Sequence, residues 1–168
     1  MQQVEALPAP PLRPGSPPSP LGFVLQPVLA RLVRRIAARH PDMFARLGPY
    51  QRADFLIVIR ELPVALHLRP DPDRPLLRAV PRARPPRHDA RIEGPFLLLL
   101  RLIDGADDGD AAFFARELSI SGNTEAVVSL RNALDDIEGS IAQDVADAFG
   151  PPGRIALDIL RRRSLAHA

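Results

Sequence analysis

Gly109 to Ile137 reads Gly-Asp-Ala-Ala-Phe-Phe-Ala-Arg-Glu-Leu-Ser-Ile-Ser-Gly-Asn-Thr-Glu-Ala-Val-Val-Ser-Leu-Arg-Asn-Ala-Leu-Asp-Asp-Ile, and this stretch decides the fold. It predicts three elements in succession. A short helix carries the aromatic pair Phe113 and Phe114. A strand follows over Glu117 to Ser121, because apolar and polar residues alternate there. Gly122 then turns the chain into a second helix.

The second helix has a defined start and one apolar face. Asn123 is a good N-cap, because its side-chain oxygen can accept a hydrogen bond from the first turn. Glu125 places a negative charge at the positive end of the helix dipole. Gly122 is expected to need a backbone angle that other residues avoid. The apolar residues recur at three- and four-residue spacing, namely Val127, Leu130, Leu134, Ile137 and Ile141.

The same stretch resembles the C-terminal signature of sterol-carrier-protein type-2 domains. Within that family it is most similar to the bacterial accessory factors of oxygen-independent ubiquinone biosynthesis. Their pattern is Phe-Phe, a strand ending in Gly, an Asp or Asn, Thr-Glu, and a helix with an Asn-Leu-hydrophobic-Asp-Ala-like run. Here Asn132 is followed by Ala133-Leu134-Asp135, which is close but not identical. The likeness is tight over residues 109–136, looser over 53–108, and absent from the first twenty or so residues.

The resemblance implies an α+β fold, with a small, largely antiparallel β-sheet packed against helices around an apolar tunnel. It also implies a non-catalytic accessory protein that holds the tail of an isoprenoid quinone precursor and presents its head to ubiquinone biosynthesis enzymes. Those partners would include a pair of iron–sulfur hydroxylase subunits related to collagenase-type peptidases. The residues expected to bind the lipid are Phe96, Leu97, Leu100, Phe113, Phe114, Leu118, Ile120, Val127, Leu130 and Leu134.

The residues by themselves leave other interpretations open. Periodicity cannot tell whether the surplus of apolar side chains fills a core or lines a tunnel. The apolar helix faces could instead make the chain a protein-interaction module that binds a partner helix or a second copy. A small enzyme with an unrecognised acid–base pair is a third possibility, although His88-Asp89 fits the start of a surface strand better than a catalytic pair.

Composition excludes several classes of site. The chain has no cysteine, so disulfides, thiolate nucleophiles and cysteine-ligated metal centres on it are excluded. No histidine spacing builds a metal site, no glycine pattern fits a phosphate loop, and no cofactor is predicted. No apolar run approaches the roughly 20 residues that span a bilayer, and no basic start precedes an apolar block. A cytoplasmic protein is therefore expected.

Charge is distributed unevenly along the chain. All 22 basic residues are arginine, which explains a pI of about 10.2 beside a net charge of only +2. Residues 1–92 hold 15 arginines and 7 acidic residues, whereas residues 93–168 hold 7 and 13. The arginine-rich region around the predicted hairpins lacks interleaved aromatic residues, so nucleic acid is not a predicted partner.

The remaining segments give a domain plan. Residues 1–22 are proline-rich and are predicted to be a disordered tail, residues 23–163 the lipid-binding domain, and residues 164–168 a short tail. Strands are predicted over 54–60, 64–69, 76–80 and 88–93. Helices are predicted over 23–40, 95–103, 141–149 and 154–163, with a break at Gly150 to Gly153. The 95–103 helix is apolar on almost every side, so it should be buried or line a cavity.

The predicted helix over 23–40 has an arginine-rich face opposite its apolar stripe. Leu25, Val28, Leu29, Leu32, Val33 and Ile36 form the stripe. The arginine face could be solvated, with the helix docked on the core. It could also meet anionic lipid and make the protein peripheral to the inner membrane.

Overall fold

A five-stranded sheet forms the centre of the molecule. The computed structural model describes residues 20–104, 117–135, 140–148 and 150–166. The strands are β1 (Phe55–Ile59), β2 (Val64–Arg69), β3 (Leu76–Pro81), β4 (Ala90–Gly94) and β5 (Ser119–Gly122), in the order β3-β2-β1-β4-β5. Three neighbouring pairs are antiparallel, whereas β1 and β4 run parallel. The predicted strands are all present, and their ends differ from the predicted ones by at most two residues.

The register divides the sheet into two faces. Ile57 pairs with Leu66 on β2 and with Ile92 on β4, so these apolar side chains share one face. Leu56 pairs with His67 and belongs to the other face. Successive side chains of a strand point to opposite faces, and β1 is apolar on both because it lies in the middle of the sheet.

The helices are α1 (Pro20–Arg39), α2 (Pro41–Arg46), α3 (Phe96–Asp104), α4 (Thr124–Asp135), α5 (Ser140–Ala148) and α6 (Gly150–Ala166), with a short 3₁₀ turn at Gly48–Tyr50. Helix α1 packs along β3. The Ala79 N–H of that edge strand donates to Gln26 Oε1 at 3.3 Å. This contact covers one of the backbone groups that an open sheet edge would otherwise expose.

The main hydrophobic core lies between the helices and the Ile57 face of the sheet. It joins residues of α2, β1, β4, α3, α4 and α5. A smaller cluster holds α3, α5 and α6 together through Leu100, Ala142, Ala146 and Leu157. A third cluster, Leu56, Val58, Ala65 and Val80, lies on the opposite face of the sheet. The α+β prediction is confirmed.

Three predicted boundaries are wrong, and at the two helix starts the reason is that proline or glycine was given too much weight. Helix α1 begins at Pro20, inside the predicted 1–22 tail. Helix α6 begins at Gly150, inside the predicted break, and continues to Ala166, beyond the predicted end at 163. Proline is tolerated in the first turn of a helix because the N–H it lacks has no intrahelical partner there.

The turn that precedes α4 is confirmed in detail. Gly122 has φ of +83°. A Cβ at this position would collide with the backbone carbonyl of Asp89. Asn123 caps α4 as predicted, since its Oδ1 accepts from the Ala126 N–H at 3.0 Å. The predicted helix that carries Phe113 and Phe114 lies outside the described residues.

Candidate ligand-binding cavity

A cavity of about 190 Å³ opens between the Ile57 face of the sheet and the helices. Every residue that borders it is apolar. Helices α1, α2, α3, α4 and α5 and strands β1, β2 and β3 all contribute. The lining consists of Leu29, Leu32, Val33, Ile36, Met43, Phe44, Ile57, Ile59, Leu66, Leu68, Pro70, Leu77, Phe96, Leu99, Leu100, Leu102, Ile103, Leu130, Leu134, Ile141 and Val145.

The spacing of residues along each strand and helix explains which of its side chains line the cavity. Alternate residues of a strand share a face, so Ile57 and Ile59 of β1 line the cavity together with Leu66 and Leu68 of β2. On the helices, side chains three and four residues apart share a face. The α1 wall accordingly repeats at that spacing over residues 29–36.

The structure separates the residues that the sequence grouped as lipid-binding. Phe96, Leu100, Leu130 and Leu134 line the cavity. The other four described ones lie elsewhere. Val127 belongs to the main core, Leu118 is buried close to Gly94, and Ile120 is half-buried beside Ile92. Leu97 is 39% exposed. Phe113 and Phe114 lie outside the described residues.

The sequence did not single out much of the cavity wall. None of the residues predicted to bind lipid lies on α1, α2, α5 or the strands β1, β2 and β3, although all of these elements border the cavity. The apolar stripe of α1 was visible as a pattern, but a stripe predicts only that a face is buried. Whether the opposing wall leaves a gap depends on how distant elements pack. Leu97 was included because α3 is apolar on nearly all sides, and one side of α3 proves to face outward.

An apolar lining limits what the cavity can do. Within the described lining there is no carboxylate, imidazole or hydroxyl that could move a proton or ligate a metal. The cavity can bind by removing apolar ligand surface from water and by dispersion contacts. Cavities of this kind stay dry when empty and take up apolar molecules; an engineered cavity of about 150 Å³ binds benzene.

An ion pair fastens the α1 wall to the α5 wall. Asp144 on α5 is buried, and its two carboxylate oxygens accept from Arg39 Nη1 at 3.0 and 3.1 Å. Arg35 Nε lies 3.8 Å from the same carboxylate. Two arginines of α1 therefore neutralise Asp144, which is buried next to the cavity-lining residues Ile141 and Val145.

A polar network occupies the opposite side of the sheet. Asp54 Oδ1 bonds to His67 Nε2 at 2.7 Å, and the same carboxylate accepts two bonds from Arg69, at 2.9 and 2.5 Å. His67 Nδ1 accepts from Arg78 Nε at 3.2 Å. Asp89 closes the network, because its carboxylate accepts from the Asp54 N–H at 2.8 Å. Both ring nitrogens of His67 are thus occupied.

The environment of His67 holds it neutral. Burial lowers the pKa of His67, while its hydrogen bond with Asp54 opposes that shift. Burial alone would raise the pKa of Asp54, but the hydrogen bonds from Arg69 and His67 outweigh it and the net shift is downward. Because Leu66 and Leu68 face the cavity, the intervening His67 points away from it. The Asp54–His67 pair therefore braces the sheet instead of serving the cavity.

Two further features of the described residues bear on the site. No group of three or more histidine and acidic side chains among them is arranged to hold a metal ion. No helix in the described ranges combines the length and hydropathy needed to span a bilayer.

Comparisons with known proteins agree with this geometry. The model of the SCP-2 sterol transfer family matches residues 33–135, more than half of the chain. A solved structure described as a UbiJ-SCP2 ubiquinone synthesis protein is 14% identical, with a TM-score of 0.55 over 70% of this chain and 93% of that one. The sterol carrier protein domain 2 of Helicoverpa armigera is 15% identical, with a TM-score of 0.48 over 73% and 96%.

A sequence search of curated proteins finds no match. At 14% identity, the UbiJ-SCP2 structure shows a likeness of fold alone. The family model is the stronger finding, because it spans both the cavity-forming sheet and the α4 signature. The chain belongs to the SCP-2 sterol transfer family and is a lipid-binding domain of the sterol-carrier type.

Proposed function

We propose that this chain is a non-catalytic accessory protein of oxygen-independent ubiquinone biosynthesis. Its cavity holds the apolar part of an isoprenoid quinone precursor and leaves the head accessible to the pathway's enzymes, among them iron–sulfur hydroxylase subunits. It would act in the cytoplasm. The observation that carries the proposal is the cavity of about 190 Å³ with an entirely apolar lining.

Keeping such a space open has an energetic cost. Cavities made by truncating core leucines destabilise proteins by about 24 cal/mol per Å³. At that rate, the roughly 190 Å³ here would cost about 4–5 kcal/mol. Typical domains have a total stability of about 5–15 kcal/mol. A ligand that fills the space would restore much of this energy. The unfilled volume therefore supports a ligand-binding role.

Burial of an apolar tail supplies the affinity. Each CH₂ group removed from water contributes about 0.8 kcal/mol, so a prenyl chain needs no polar recognition motif to bind. A long prenyl tail exceeds the volume present in the structure. Loading therefore requires the helices to move away from the sheet, or part of the tail to remain outside. The described lining offers no polar partner to the reactive head, so in either arrangement the head is expected to stay outside the apolar space.

Two observations support the assignment to oxygen-independent ubiquinone biosynthesis. The stretch from the Phe113-Phe114 pair to Asp135 resembles the accessory factors of oxygen-independent ubiquinone biosynthesis. A solved structure with the same fold is described as a ubiquinone synthesis protein. The absence of proton-transfer groups from the described lining favours a holding role over chemistry on the ligand.

Lipid extraction tests the proposal directly. The protein is purified from a quinone-making host and its organic extract is analysed by mass spectrometry. Prenylated phenols or benzoates are expected. A lipid-free protein that forms a stable complex with another protein would instead support the interaction-module alternative, and turnover of a lipid substrate would support the enzyme alternative.

Filling the cavity sharpens the test. Leu100→Trp places an indole in the lined space and should leave a folded protein that no longer carries the lipid. Val128→Trp is the matched control, because Val128 is an exposed residue of α4 outside the lining. Equal lipid content in the two variants would contradict binding in this cavity.

Growth conditions test the pathway assignment. A strain that lacks this chain should lose ubiquinone in anaerobic culture and keep it in aerobic culture. Wild-type protein and Val128→Trp should restore the anaerobic level, whereas Leu100→Trp should not. Loss of ubiquinone under both conditions would place the protein in a step shared by the two routes.

A further inference from the structure

Helix α6 has apolar side chains on two opposite faces. Its inner face carries Leu157, which is buried and packs with Leu100 of α3 and with two alanines of α5. Its outer face carries Ile155 and Ile159, which are 59% and 42% exposed. At about 100° per residue, each of these isoleucines lies about 160° around the helix from Leu157. The packing of α6 inside the molecule therefore leaves both of them at the surface.

The exposed apolar residues of α6 follow a helix-packing pattern. Pro152 is also exposed, and Pro152, Ile155 and Ile159 are separated by three and then four residues. Single exposed apolar residues are common on protein surfaces. Residues with this alternating spacing instead form a continuous seam along one face, which is how the helices of a coiled coil meet. The outer face of α6 therefore has the pattern of one half of a helix–helix contact.

Charged side chains lie on one flank of this seam. Arg154, Asp158 and Arg162 are all exposed, and their spacing of four residues keeps them on the same side of the helix. Arg154 Nε donates to Asp147 Oδ1 at 2.7 Å, and the guanidinium has further N–H donors to offer. The flank therefore presents both signs of charge, in a fixed order along the helix.

We propose that α6 pairs with α6 of a second copy of this chain, in an antiparallel arrangement about a two-fold axis at the level of Leu157. Ile155 of each copy then packs against Ile159 of the other. Arg154 of each copy lies beside Asp158 of the other, offset by about 3 Å along the helix at 1.5 Å per residue. A two-fold axis makes each of these contacts twice.

The charges select both the direction of the pair and its occupant. In a parallel pair, Arg162 would meet Arg162 of the second copy. In the antiparallel pair these two arginines are about 15 Å apart, and each lies opposite Pro152, on which its aliphatic stem can pack. A uniformly acidic partner would place like charge against Asp158, which is destabilising. A reversed copy of the same helix avoids both conflicts.

The contact is small, so the dimer should be weak. Stable interfaces bury about 800 Å² per partner, and a pair of 17-residue helices buries less. Self-association goes beyond the proposed function, because the chain can pair whether or not its cavity holds a lipid. Helices α3 and α5, against which α6 packs, both line the cavity. The dimer would therefore have its two α6 helices between the two cavities.

Sedimentation equilibrium of the purified full-length protein provides the first test. Between micromolar and near-millimolar concentration, the wild-type protein should change from monomer to dimer. Ile159→Glu places a carboxylate in the apolar seam and should weaken association by about tenfold or more. Val128→Glu is the matched control, because Val128 on α4 is 41% exposed and Ile159 is 42% exposed. The control should associate as the wild-type protein does.

Mixing two charge variants tests the antiparallel pairing. Arg154→Glu and Asp158→Arg should each self-associate more weakly than the wild-type protein, by about threefold to tenfold. In a mixed dimer, the new carboxylate of one copy lies beside the new guanidinium of the other, and the unaltered Asp158 lies beside the unaltered Arg154. Native mass spectrometry, with one variant isotopically labelled, should therefore show mixed dimers well above the statistical proportion. A salt bridge within one chain would give no such preference.

Four results would overturn the proposal. Wild-type protein that stays monomeric at near-millimolar concentration would mean that α6 does not pair. Equal weakening by Ile159→Glu and Val128→Glu would mean that association does not use this face. Mixed dimers in the statistical proportion would contradict the antiparallel contact. A monomer that binds a different purified protein through Ile155 and Ile159 would make the seam a heterologous interface. None of these results depends on the cavity, so the lipid content of the purified protein remains a separate test.

Discussion

The two faces of the sheet differ in how tightly they are packed and in whether they carry polar contacts. Ile57 and Val58 are neighbours on β1, yet Ile57 borders the open cavity whereas Val58 is fully buried in a small packed cluster. The cavity face has apolar contacts and unfilled space. The other face combines tight packing with the hydrogen-bonded network of Asp54, His67 and Arg69.

The contrast shows how a small domain can keep a cavity. Hydrogen bonds have defined lengths and angles, and a network with occupied donors and acceptors fixes the strands that carry it. The braced face holds the register of β1 and β2. The opposite face can then leave a volume unfilled without the sheet adjusting to close it. Four predictions test this division, starting with the largest effect.

Gly122→Ala should be the most damaging change. The residue has φ of +83°, and its new Cβ would collide with the Asp89 carbonyl beside the polar network. Residues forced into such backbone regions cost about 1–3 kcal/mol, and the collision adds to that. Gly48→Ala is the control, because Gly48 also has positive φ (+52°) but open space around it. Urea unfolding should show a clearly larger loss for Gly122→Ala; equal losses would mean that the close approach to Asp89 is unimportant.

Phenylalanine substitutions at neighbouring positions compare the two faces directly. Val58→Phe adds volume to a packed cluster and should destabilise the protein by about 1–3 kcal/mol. Ile57→Phe adds volume next to unfilled space and should cost clearly less, while reducing the bound lipid. Thermal melting of lipid-free protein and lipid content by mass spectrometry measure the two effects. A larger loss of stability for Ile57→Phe would mean that the cavity face is packed as tightly as the other.

The Asn123 cap of α4 should contribute moderately to the stability of the fold and not to lipid binding. Asn123→Ala removes the acceptor of the Ala126 N–H and should cost about 1 kcal/mol. Asn123→Asp retains an acceptor and should be tolerated. Both variants are compared by urea unfolding and by lipid content. If Asn123→Asp lost lipid with unchanged stability, Asn123 would be a ligand contact.

The smallest effect should be the pH dependence that His67 introduces. Because burial lowers its pKa in the folded state, the unfolded chain binds this proton more readily. The contribution of His67 to stability is therefore complete above the pKa of this residue in the unfolded chain, about 6.5, and declines as the pH falls below that value. His67→Gln should flatten the change in urea midpoint between about pH 7 and pH 5 relative to the wild-type protein. An unchanged slope in His67→Gln would contradict the neutral, buried state of the imidazole.

Local features of the chain were predictable from its sequence. The five strands, the turn at Gly122 and the Asn123 cap depend on side-chain alternation, on one backbone angle and on a hydrogen bond across three residues. β1 is apolar on both faces, as expected of a strand in the middle of a sheet. The positions of Phe96, Leu100, Leu130 and Leu134 in the lining agree with the sequence-based choice, although their contact with a lipid remains a proposal.

Only the tertiary structure decided which apolar faces meet and which leave a gap. A helical stripe reports that a face avoids water, not what lies opposite, so the α1 wall looked like ordinary core and Leu97 looked buried. The Arg39–Asp144 pair joins residues that are 105 positions apart, and His67 finds Asp54 on the adjacent strand. No local pattern predicts such contacts, because their energy depends on distances that exist only after the chain has folded.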